Sequence, residues 1–328
     1  MKKTDVKITG AQTARLKKRG FLDRYDDYPK AMRHGKYAFL IAMLALPIAG
    51  FTVFYVVQNI SSILLAFREV VGFDYESGRE VTRWTFGQFQ RVFAALKNAD
   101  SNFRTSLVNT LIYFVVDTAV LLPLPFLLSY FFYKKLAGYK FFRVAIFLPT
   151  IISGVAIVTM FKNIIDADGP IVMWAGKLGV EIPALLYSDR TATPTIIFYT
   201  VWFGINSHVL LFQGAFRRIP QEIVESAQLD GVNAVQELWF ILIPLLKSTL
   251  STIVILSVSG IFGAGGPILL FTNGLNNTST VGFWIYQEVK VYGSYNMPAA
   301  AGLLFTLINL PIVFGVRKLF SLSEDVEY

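Results

Sequence analysis

The chain has 328 residues, of which 54% are hydrophobic and only 16% are charged. Soluble domains carry about 25% charged residues, so this composition is typical of a protein that crosses a membrane several times. The net charge of +8 indicates basic cytoplasmic loops rather than a nucleic-acid partner, because such loops are enriched in Lys and Arg. The chain has no Cys, which excludes disulfides, thiolate metal ligands and a cysteine nucleophile.

Residues 1–36 form a polar and basic leader, and the first apolar run begins near Tyr37. Secretory signals have an apolar run of roughly 7–15 residues, whereas this run is long enough to span a bilayer outright. We therefore expect no cleaved signal, and we interpret the run as the first retained membrane helix. Residues 37–104 comprise this helix and a first external loop.

Six segments are long and apolar enough to cross about 30 Å of hydrocarbon. In lipid each must be helical, because an open strand would leave its backbone groups unpaired, so the sequence predicts an all-α polytopic membrane protein with six transmembrane helices. Prolines interrupt the segments, and we expect kinks at them rather than breaks. The predicted segments are 38–66, 106–132, 141–161, 194–216, 247–271 and 297–316. The prolines are Pro47, Pro123, Pro125, Pro149, Pro267 and Pro311.

Lys and Arg mark one side of the membrane. They are concentrated in the leader and in the connections after segments two, four and six, whereas the alternate loops are mixed or sparse. Cytoplasmic loops carry an excess of positive charge, so both termini and the loop 218–246 are predicted to be cytoplasmic, with 321–328 as the tail. The basic residues of these connections are Lys134, Lys135, Lys140, Arg143, Arg217, Arg218, Arg317 and Lys318.

Two stretches on the opposite side are predicted to be structured. Residues 163–193 are long and interrupted by Gly and Pro, which favours short helices over the spans. The sequence TSTVGFWIYQEVK places Trp284 and Tyr286 beside apolar residues, which suits an interfacial helix in an aromatic belt. The alternative for each stretch is an ordinary loop at the level of the lipid headgroups.

The loop 218–246, which we call the acidic loop, is polar in an otherwise apolar chain. Pro220 suits the first residue of a helix, where its missing N–H would be unpaired anyway. This helix is predicted to stop at Asp230 and Gly231, because Gly readily takes the left-handed conformation that closes a helix. The helix has one narrow apolar face, formed by Ile223, Val224 and Ala227.

A second short helix is predicted after this turn. Asn233 can cap it, and Gln236 completes a capping-box pair. Pro244 then redirects the chain into segment five. The apolar residues of the second helix are Leu238, Trp239, Ile241 and Leu242.

Two short helices with one apolar and one acidic surface are suited to docking a soluble partner. The alternative is an amphipathic helix bound to the lipid surface. Such helices are usually rich in Lys and Arg because the inner leaflet is anionic, so the acidic charge favours docking. The acidic residues of the loop are Glu222, Glu225, Asp230 and Glu237.

The segment ESAQLDGVNAVQELWFILIP resembles the EAA loop in the membrane subunits of ATP-binding-cassette (ABC) importers. The family pattern is Glu-Ala-Ala, three residues, Gly, nine residues, then Ile-x-Leu-Pro; here Ser226 replaces an Ala and Ile243 replaces the Leu. The sequences RRIPQEI, FFRVAIFLPTIISGV and YSDRTATPTIIFYTVWF resemble the carbohydrate-uptake, maltose-transporter-like branch. The positions in register are Glu225, Ala227, Gly231, Ile241 and Pro244.

This resemblance covers roughly residues 105–316 and implies a type I ABC importer permease fold, with 105–320 as the core permease domain. The implied partners are a second permease subunit, expected to be a different homologous chain, a dimer of ABC ATPases that binds ATP-Mg in the cytoplasm, and an extracytoplasmic solute-binding protein. The implied substrate is an oligosaccharide or another sugar, and the implied location is a bacterial cell membrane.

The resemblance also implies roles for residues of the acidic loop, whose helices would be coupling helices inserted into a cleft of an ATPase subunit. Glu225 would be the charged contact, Gly231 the turn between the helices, and Ala227 the small residue on the packed face. Asp230 would either cap the helix or make a second polar contact. Pro244 would serve packing.

Catalytic chemistry is not expected in this chain. No Gly-x4-Gly-Lys-Ser/Thr phosphate loop occurs, so ATP hydrolysis would belong to a separate subunit and the chain itself would need no cofactor. The only histidines are His34 and His208, and no pattern of metal ligands is evident. A membrane-embedded hydrolase would need clustered acids or a nucleophile with its base, and neither pattern occurs.

Asp117 and His208 are the ionisable residues within the apolar cores of the segments. An Asp at the centre of a membrane helix costs about 2.5–3.5 kcal/mol, so such groups are functional candidates. The alternative function is therefore an ion- or proton-coupled secondary carrier with these two residues as a relay. Two isolated groups form a poor relay, and nothing indicates inverted repeats.

The substrate pathway is predicted on the segments that flank the acidic loop. Thr200, Ser207 and His208 share one face of segment four, and Gly204 between them could admit a ligand or a neighbouring helix. The alternative role of small polar residues is to hold membrane helices together. The turn NGLNNTST after segment five departs from the family, in which many members have Gly-Gly-Pro. The pathway candidates are Asp117, Thr200, Gly204, Asn206, Ser207, His208 and Ser257.

Overall fold

The computed structural model describes residues 30–74, 78–99 and 101–321, and most of these are helical. The chain divides into two compact units, Met1–Ser62 and Ile63–Tyr328. Most of the predicted leader and all but the first residue of the predicted tail lie outside the described residues.

The helix that carries the first span begins before the apolar run. α1 covers Lys30–Phe51, a π-helical turn covers Thr52–Val57, and α2 covers Gln58–Ala66. Pro47 lies inside α1 without ending it. The run from Tyr37 to Ala66 is long and apolar enough to cross a membrane, which confirms the first predicted span.

A β-hairpin and a short helix follow in the predicted first external loop. β1 (Arg68–Asp74) pairs antiparallel with β2 (Arg79–Trp84). Glu69 on β1 accepts a hydrogen bond from Arg83 on β2 at 3.0 Å, and α3 (Gly87–Lys97) follows the hairpin. The prediction of an all-α chain therefore holds for the spans but misses this hairpin, because short charged strands carry no membrane signal.

The remaining helices supply the other spans and their connections. In chain order they are α4 (Asn102–Leu121), α5 (Pro123–Tyr133), α6 (Tyr139–Phe147), α7 (Gly154–Ile165), α8 (Pro170–Lys177), α9 (Ala192–Phe216), α10 (Gln221–Leu229), α11 (Ala234–Gln236), α12 (Ile243–Leu245), α13 (Lys247–Ser259), α14 (Ile268–Phe271), α15 (Val281–Lys290) and α16 (Asn296–Ser321). α4 with α5, α9 and α16 are each long and apolar enough to span a membrane, as predicted for segments two, four and six.

Segment three is broken, and six spans are obtained only if each of two bent pairs counts as one crossing. The second pair, Ala234–Leu245 with Lys247–Ser259, begins inside the acidic loop and ends before residue 271, so the predicted bounds 247–271 of segment five are wrong. The chain bends by 108° between α6 and α7, after a 3-10 turn that contains Pro149. It bends by 74° between Ala234–Leu245 and α13, and α13 ends before Gly260. Our expectation of kinks without breaks is therefore wrong at Pro149 and Pro267. Both breaks contain a proline, which has no N–H to donate within a helix. The second break also contains glycines, which disfavour a helix.

The connecting helices follow the prediction only in part. α8 confirms a short helix within 163–193. α15 confirms a helix in TSTVGFWIYQEVK, but Trp284 is buried against Phe103 with ring centroids 4.5 Å apart. The assignment of Trp284 to an aromatic belt in the lipid headgroups is therefore wrong, because its ring packs inside the protein core instead.

One core cluster fixes the acidic loop to the spans, and we call it the loop core. Phe126 of α5 makes an edge-to-face contact with Phe212 of α9 at 5.4 Å and lies at the same distance from Phe216. Apolar residues of the acidic loop and of α13 complete the cluster. Its buried members are Phe126, Phe212, Ala215, Phe216, Val224, Leu238, Leu242, Leu246 and Ile253.

A polar network fixes the turn NGLNNTST to α4. Asn273, Asn276 and Asn277 all have positive φ, which Asn tolerates better than most residues. Asn109 of α4 donates to the carbonyls of Asn277 and Ser279 at 2.6 and 2.8 Å. The departure from the family pattern in this turn is thus accommodated by left-handed Asn residues and buried hydrogen bonds.

We expect Asn109→Ala to destabilise the protein by about 1–3 kcal/mol, because the buried Ser279 carbonyl loses this donor and the Asn277 carbonyl keeps only the hydroxyl of Thr193. Thermal unfolding of the purified protein in detergent measures the change. Asn163→Ala is the matched control, since Asn163 is exposed on α7, and it should leave the unfolding temperature unchanged. Equal unfolding temperatures for both variants would contradict the role of the network.

Candidate functional site

α10 of the acidic loop presents one packed face and one free face. Val224 and Ala227 are buried, and Val224 belongs to the loop core with residues of α5 and α9. Ile223 is 39% exposed, so the buried face is narrower than the predicted apolar face. Pro220 precedes the helix as its N-cap rather than forming its first residue, since its ψ of 128° is extended. The spacing of Val224 and Ala227 directs both side chains to the same side of the helix.

The C-terminus of α10 closes in a Schellman motif. Gly231 has φ +78°, the left-handed conformation that the sequence predicts. Its N–H donates to the Gln228 carbonyl, and the Val232 N–H donates to the Ala227 carbonyl, both at 3.1 Å. Asp230 is the C-cap residue and is exposed, so its carboxylate is available to a partner.

The predicted capping box opens the second helical segment. The Asn233 side chain accepts from the Gln236 N–H at 2.9 Å, and the Gln236 side chain accepts from the Asn233 N–H at 3.0 Å. Between α11 and α12 the chain forms a π-helical turn, Glu237–Leu242, in which Leu238 and Leu242 are buried. Trp239, predicted on the apolar side of this helix, is instead 62% exposed.

Glu237 behaves differently from the other acids of the loop, and the sequence analysis missed this. Its side chain is only 2% exposed. The Lys134 ammonium donates to its carboxylate at 2.8 Å, and the Tyr130 hydroxyl lies 3.5 Å from it. Lys134 and Tyr130 belong to the end of α5, so a buried ion pair joins the acidic loop to the second span.

The free face of α10 carries the remaining charge. Glu222, Glu225 and Asp230 are exposed, and Leu229 between them is 89% exposed. Among the described residues, no cation lies within 4.0 Å of Glu225. An open hollow of about 410 Å³ adjoins this face and is lined by both Asp230 and Gly231. The exposed surface therefore combines unpaired carboxylates with an apolar side chain and a concavity.

Two cavities between the spans collect most of the pathway candidates. The first, which we call the Thr200 cavity, has about 480 Å³ and is lined by Thr200, Gly204 and aromatic residues of α9. The second, the Asp117 cavity, has about 250 Å³ and is lined by Asp117, His208 and Ser257. The two cavities share Gly265.

Asp117 and His208 are therefore not isolated, as the sequence analysis assumed, because α4 and α9 bring them to one cavity. The His208 Nδ1 lies 3.1 Å from the Gly204 carbonyl. A carbonyl oxygen only accepts hydrogen bonds, so Nδ1 carries the proton and Nε2 is left as an acceptor in the neutral ring.

Asn206 and Ser207 do not line either cavity. Asn206 is buried and Ser207 is exposed, and the Ser207 hydroxyl donates to the Asn206 amide oxygen at 3.1 Å. The Asn206 amide in turn donates to the Phe203 carbonyl, so these hydrogen bonds stay within α9, and the pathway role of the two residues stays a prediction.

Two glycines allow the close approaches that shape these cavities. A Cβ on Gly204 would lie 3.0 Å from the Leu121 side chain of α4, so Gly204 admits a neighbouring helix. A Cβ on Gly266 would lie 2.5 Å from the Thr200 hydroxyl. Gly266, which the sequence analysis did not single out, is therefore required for the chain after α13 to pass α9.

The fold and these sites define a polytopic helical membrane protein with cavities between its spans and a folded acidic loop attached to their ends. The chain belongs to the family described as binding-protein-dependent transport system inner membrane component, whose model matches residues 92–321. This membership confirms the resemblance to ABC importer permeases. The chain is accordingly a non-catalytic, multi-pass membrane subunit of such a transporter, and ATP hydrolysis belongs to a separate subunit.

Several similar curated proteins are named as permeases of sugar-transport systems. The multiple sugar-binding transport system permease protein MsmF of Streptococcus mutans is 26% identical over 248 residues, 72% of this chain and 84% of the relative. The arabinooligosaccharides transport system permease protein AraP of Halalkalibacterium halodurans is 27% identical and covers 83% of this chain and 84% of its own length. The lactose transport system permease protein LacF of Rhizobium radiobacter is 29% identical, over 66% of this chain and 75% of its own.

The fold is shared with solved transporters. A crystal structure of a bacterial ABC transporter involved in the import of the acidic polysaccharide alginate matches with a TM-score of 0.73 and 19% identity, covering 89% of this chain and 99% of its own. A bacterial alginate ABC transporter in complex with alginate pentasaccharide-bound periplasmic protein matches with a TM-score of 0.71 and 19% identity, over 88% and 96% of the two chains. These matches confirm the ABC importer permease fold.

We expect Glu237→Gln to destabilise the protein by about 3 kcal/mol, because it leaves the Lys134 ammonium largely buried without its counter-ion. The double variant Lys134→Met/Glu237→Gln should recover most of this loss, since it removes both charges. Denaturation of wild type, the two single variants Lys134→Met and Glu237→Gln, and the double variant gives the coupling energy. Additive effects of the two substitutions would contradict a buried pair.

Proposed function

We propose that the chain is one permease subunit of an ATP-driven importer for an oligosaccharide or another sugar. It forms half of the translocation pathway and receives the motion of the ATPase through the acidic loop. The observation that carries this proposal is the arrangement of that loop. Its buried face belongs to the loop core, and its opposite face carries the exposed Glu225.

Coupling requires a surface that a partner can bind and a rigid connection from that surface to the spans. Glu225 supplies the charged contact, and Asp230 supplies a second one beside the hinge at Gly231. Ala227 is the small residue on the buried face of α10, and Val224 on that face packs in the loop core with residues of the spans. Pro244 belongs to the short helix α12, just before the 74° bend into α13. Movement of the loop would therefore redirect the span that follows it.

The proposed partners follow from this role. A dimer of ABC ATPases that binds ATP-Mg would contact the acidic loop, and a second permease subunit, a different homologous chain, would form the other half of the pathway. An extracytoplasmic binding protein would deliver the substrate. One of the solved alginate transporters is described in complex with an alginate pentasaccharide-bound periplasmic protein. In this assembly both termini and the acidic loop face the cytoplasm of a bacterial cell.

The substrate class rests on the relatives and on the chemistry of the cavities. The names of the relatives include a multiple-sugar system, arabinooligosaccharides and lactose. Sugars present hydroxyl groups on an apolar ring, so they need both hydrogen-bonding groups and aromatic faces. The Thr200 cavity offers Thr200 beside Tyr199 and Phe203, and the Asp117 cavity adds Asp117, His208 and Ser257. We assign these residues to substrate contact or to the path that it follows.

We expect Glu225→Lys to reduce co-purification of the ATPase by more than about tenfold, because it places a cation where the partner meets a carboxylate. The measurement is the ratio of ATPase to permease in the purified complex. Glu181→Lys makes the same change at an exposed residue on the opposite face and should retain the ATPase. A full complex with undiminished transport in the Glu225→Lys variant would refute docking through this residue.

Transport in reconstituted vesicles separates the importer from the secondary carrier. Uptake of labelled sugar should require both ATP and the binding protein, and a pH gradient alone should drive none. Asp117→Asn keeps the shape of the side chain, so it should lower the rate without removing ATP dependence. Uptake driven by a pH gradient without ATP, and lost in Asp117→Asn, would instead establish a proton-coupled carrier.

A further inference from the structure

A cavity separate from the two pathway cavities lies where α5 and α9 end and α6 begins. It has a volume of about 250 Å³. Three of its lining residues are basic and none is acidic. We call it the basic cavity, and its lining residues are Ser129, Phe132, Tyr133, Lys135, Tyr139, Arg143, Gln213, Phe216 and Arg217.

The positive charge of the basic cavity is not neutralised within the described part of the chain. No described carboxylate lies within 4.0 Å of Lys135, Arg143 or Arg217. The neighbouring Lys134 provides a contrast, because its ammonium is paired with Glu237 at 2.8 Å. Three unpaired cations around one concavity form a site for an anion from outside the chain.

The backbone at Lys135 points to the same conclusion. Lys135 has φ +52° at the end of α5, where it occupies the left-handed position of a Schellman motif. Its N–H donates to the Phe132 carbonyl at 3.2 Å, and the Leu136 N–H donates to the Phe131 carbonyl at 3.4 Å. A non-Gly residue in this conformation costs about 1–2 kcal/mol, so a Lys is locally unfavourable at this position. Lys135 also lines the basic cavity, and a ligand bound there would offset this cost.

Gln213 supplies a hydrogen-bond donor that the protein leaves unused. Its Nε2 is buried and has no acceptor among the described residues, although the side chain lines the cavity. A small rotation of the amide toward the cavity would give this donor an oxyanion as its acceptor. An unsatisfied buried donor is unfavourable, so an oxygen-rich ligand at this place would remove a penalty.

We propose that the basic cavity binds the phosphate of an anionic phospholipid headgroup. Two arginines and a lysine supply the charge-assisted hydrogen bonds that a phosphate accepts. Phe132 and Phe216, from the ends of two spans, add an apolar wall beside these cations. A basic pocket at the ends of membrane helices lies at the depth of the headgroups. The side of the membrane rests on the proposed cytoplasmic orientation, whereas binding itself does not depend on it.

The test uses the assembled transporter with the full-length chain, purified in detergent and depleted of lipid. Native mass spectrometry titrates it with phosphatidylglycerol and with phosphatidylcholine of the same acyl chains. Wild type should bind phosphatidylglycerol in preference, and Arg143→Gln/Arg217→Gln should weaken that binding by more than about tenfold, since two charge-assisted contacts are lost. Equal binding of the two lipids by wild type would overturn the proposal.

A matched control removes the same charge from the same segments. Lys140 and Arg218 are exposed and lie outside the lining of the basic cavity. Lys140→Gln/Arg218→Gln should therefore retain the wild-type preference for phosphatidylglycerol. An equal loss in this control would overturn the proposal, because general surface charge would then explain the binding.

Lys135→Gly separates ligand binding from folding. Gly favours the left-handed conformation, so this variant should unfold at the same or a higher temperature while binding phosphatidylglycerol more weakly. If Lys135 only stabilised the negative end of α5, stability would fall and lipid binding would persist, which would contradict the proposal.

Titration with inorganic phosphate in place of lipid identifies the source of the anion. Competition by phosphate only at concentrations far above those of the lipid supports a headgroup as the ligand. Tight phosphate binding that requires Arg143 and Arg217, without a preference among lipids, would overturn the lipid assignment in favour of a soluble phosphate compound.

Discussion

The ion pair between Glu237 and Lys134 joins the acidic loop to the end of the second span, and the rest of the coupling arrangement depends on it. Both groups are largely removed from water, so neither tolerates separation from the other. The pair adjoins the loop core, because Leu238 next to Glu237 belongs to that cluster and Tyr130 and Tyr133 pack against it. In the proposed coupling, this attachment would prevent the docking surface on α10 from moving independently of the spans.

The proposed coupling gives a role to the bend that precedes α13. A continuous helix would transmit a push along its axis, whereas a 74° bend would convert movement of the acidic loop into reorientation of a span. Beyond α13, the chain passes Thr200 closely at Gly266, which lines the Thr200 cavity, and the preceding Gly265 lines both cavities. The loop, the bent span and the cavities therefore form one contiguous arrangement within the second unit, which suits a two-state element biased by partners.

The sequence predicts the local features well, because each is determined by a few adjacent residues. The capping box of Asn233 and Gln236 and the left-handed turn at Gly231 both have the expected geometry. The burial of Glu237 could not be predicted, since its partner is 103 residues away. Nothing in the local sequence distinguishes Glu237 from the other acidic residues of the loop. Hydropathy reports how apolar a segment is and not whether its helix is continuous. It therefore locates segments three and five approximately but does not reveal where their helices break. The shared cavity of Asp117 and His208 likewise depends on helix packing.

The rigid attachment of the acidic loop can be tested by a distance measurement. The chain contains no Cys, so spin labels can be placed selectively at Val235 on α11 and Leu211 on α9, both of which are exposed and lie outside the proposed docking face. Pulsed electron paramagnetic resonance of the assembled transporter, without nucleotide and with ATP trapped, gives the distance between the labels. A rigid attachment predicts the same distance in both states. A shift of about one helical turn, roughly 5 Å, would show that the loop moves independently of the spans and would contradict coupling through this contact.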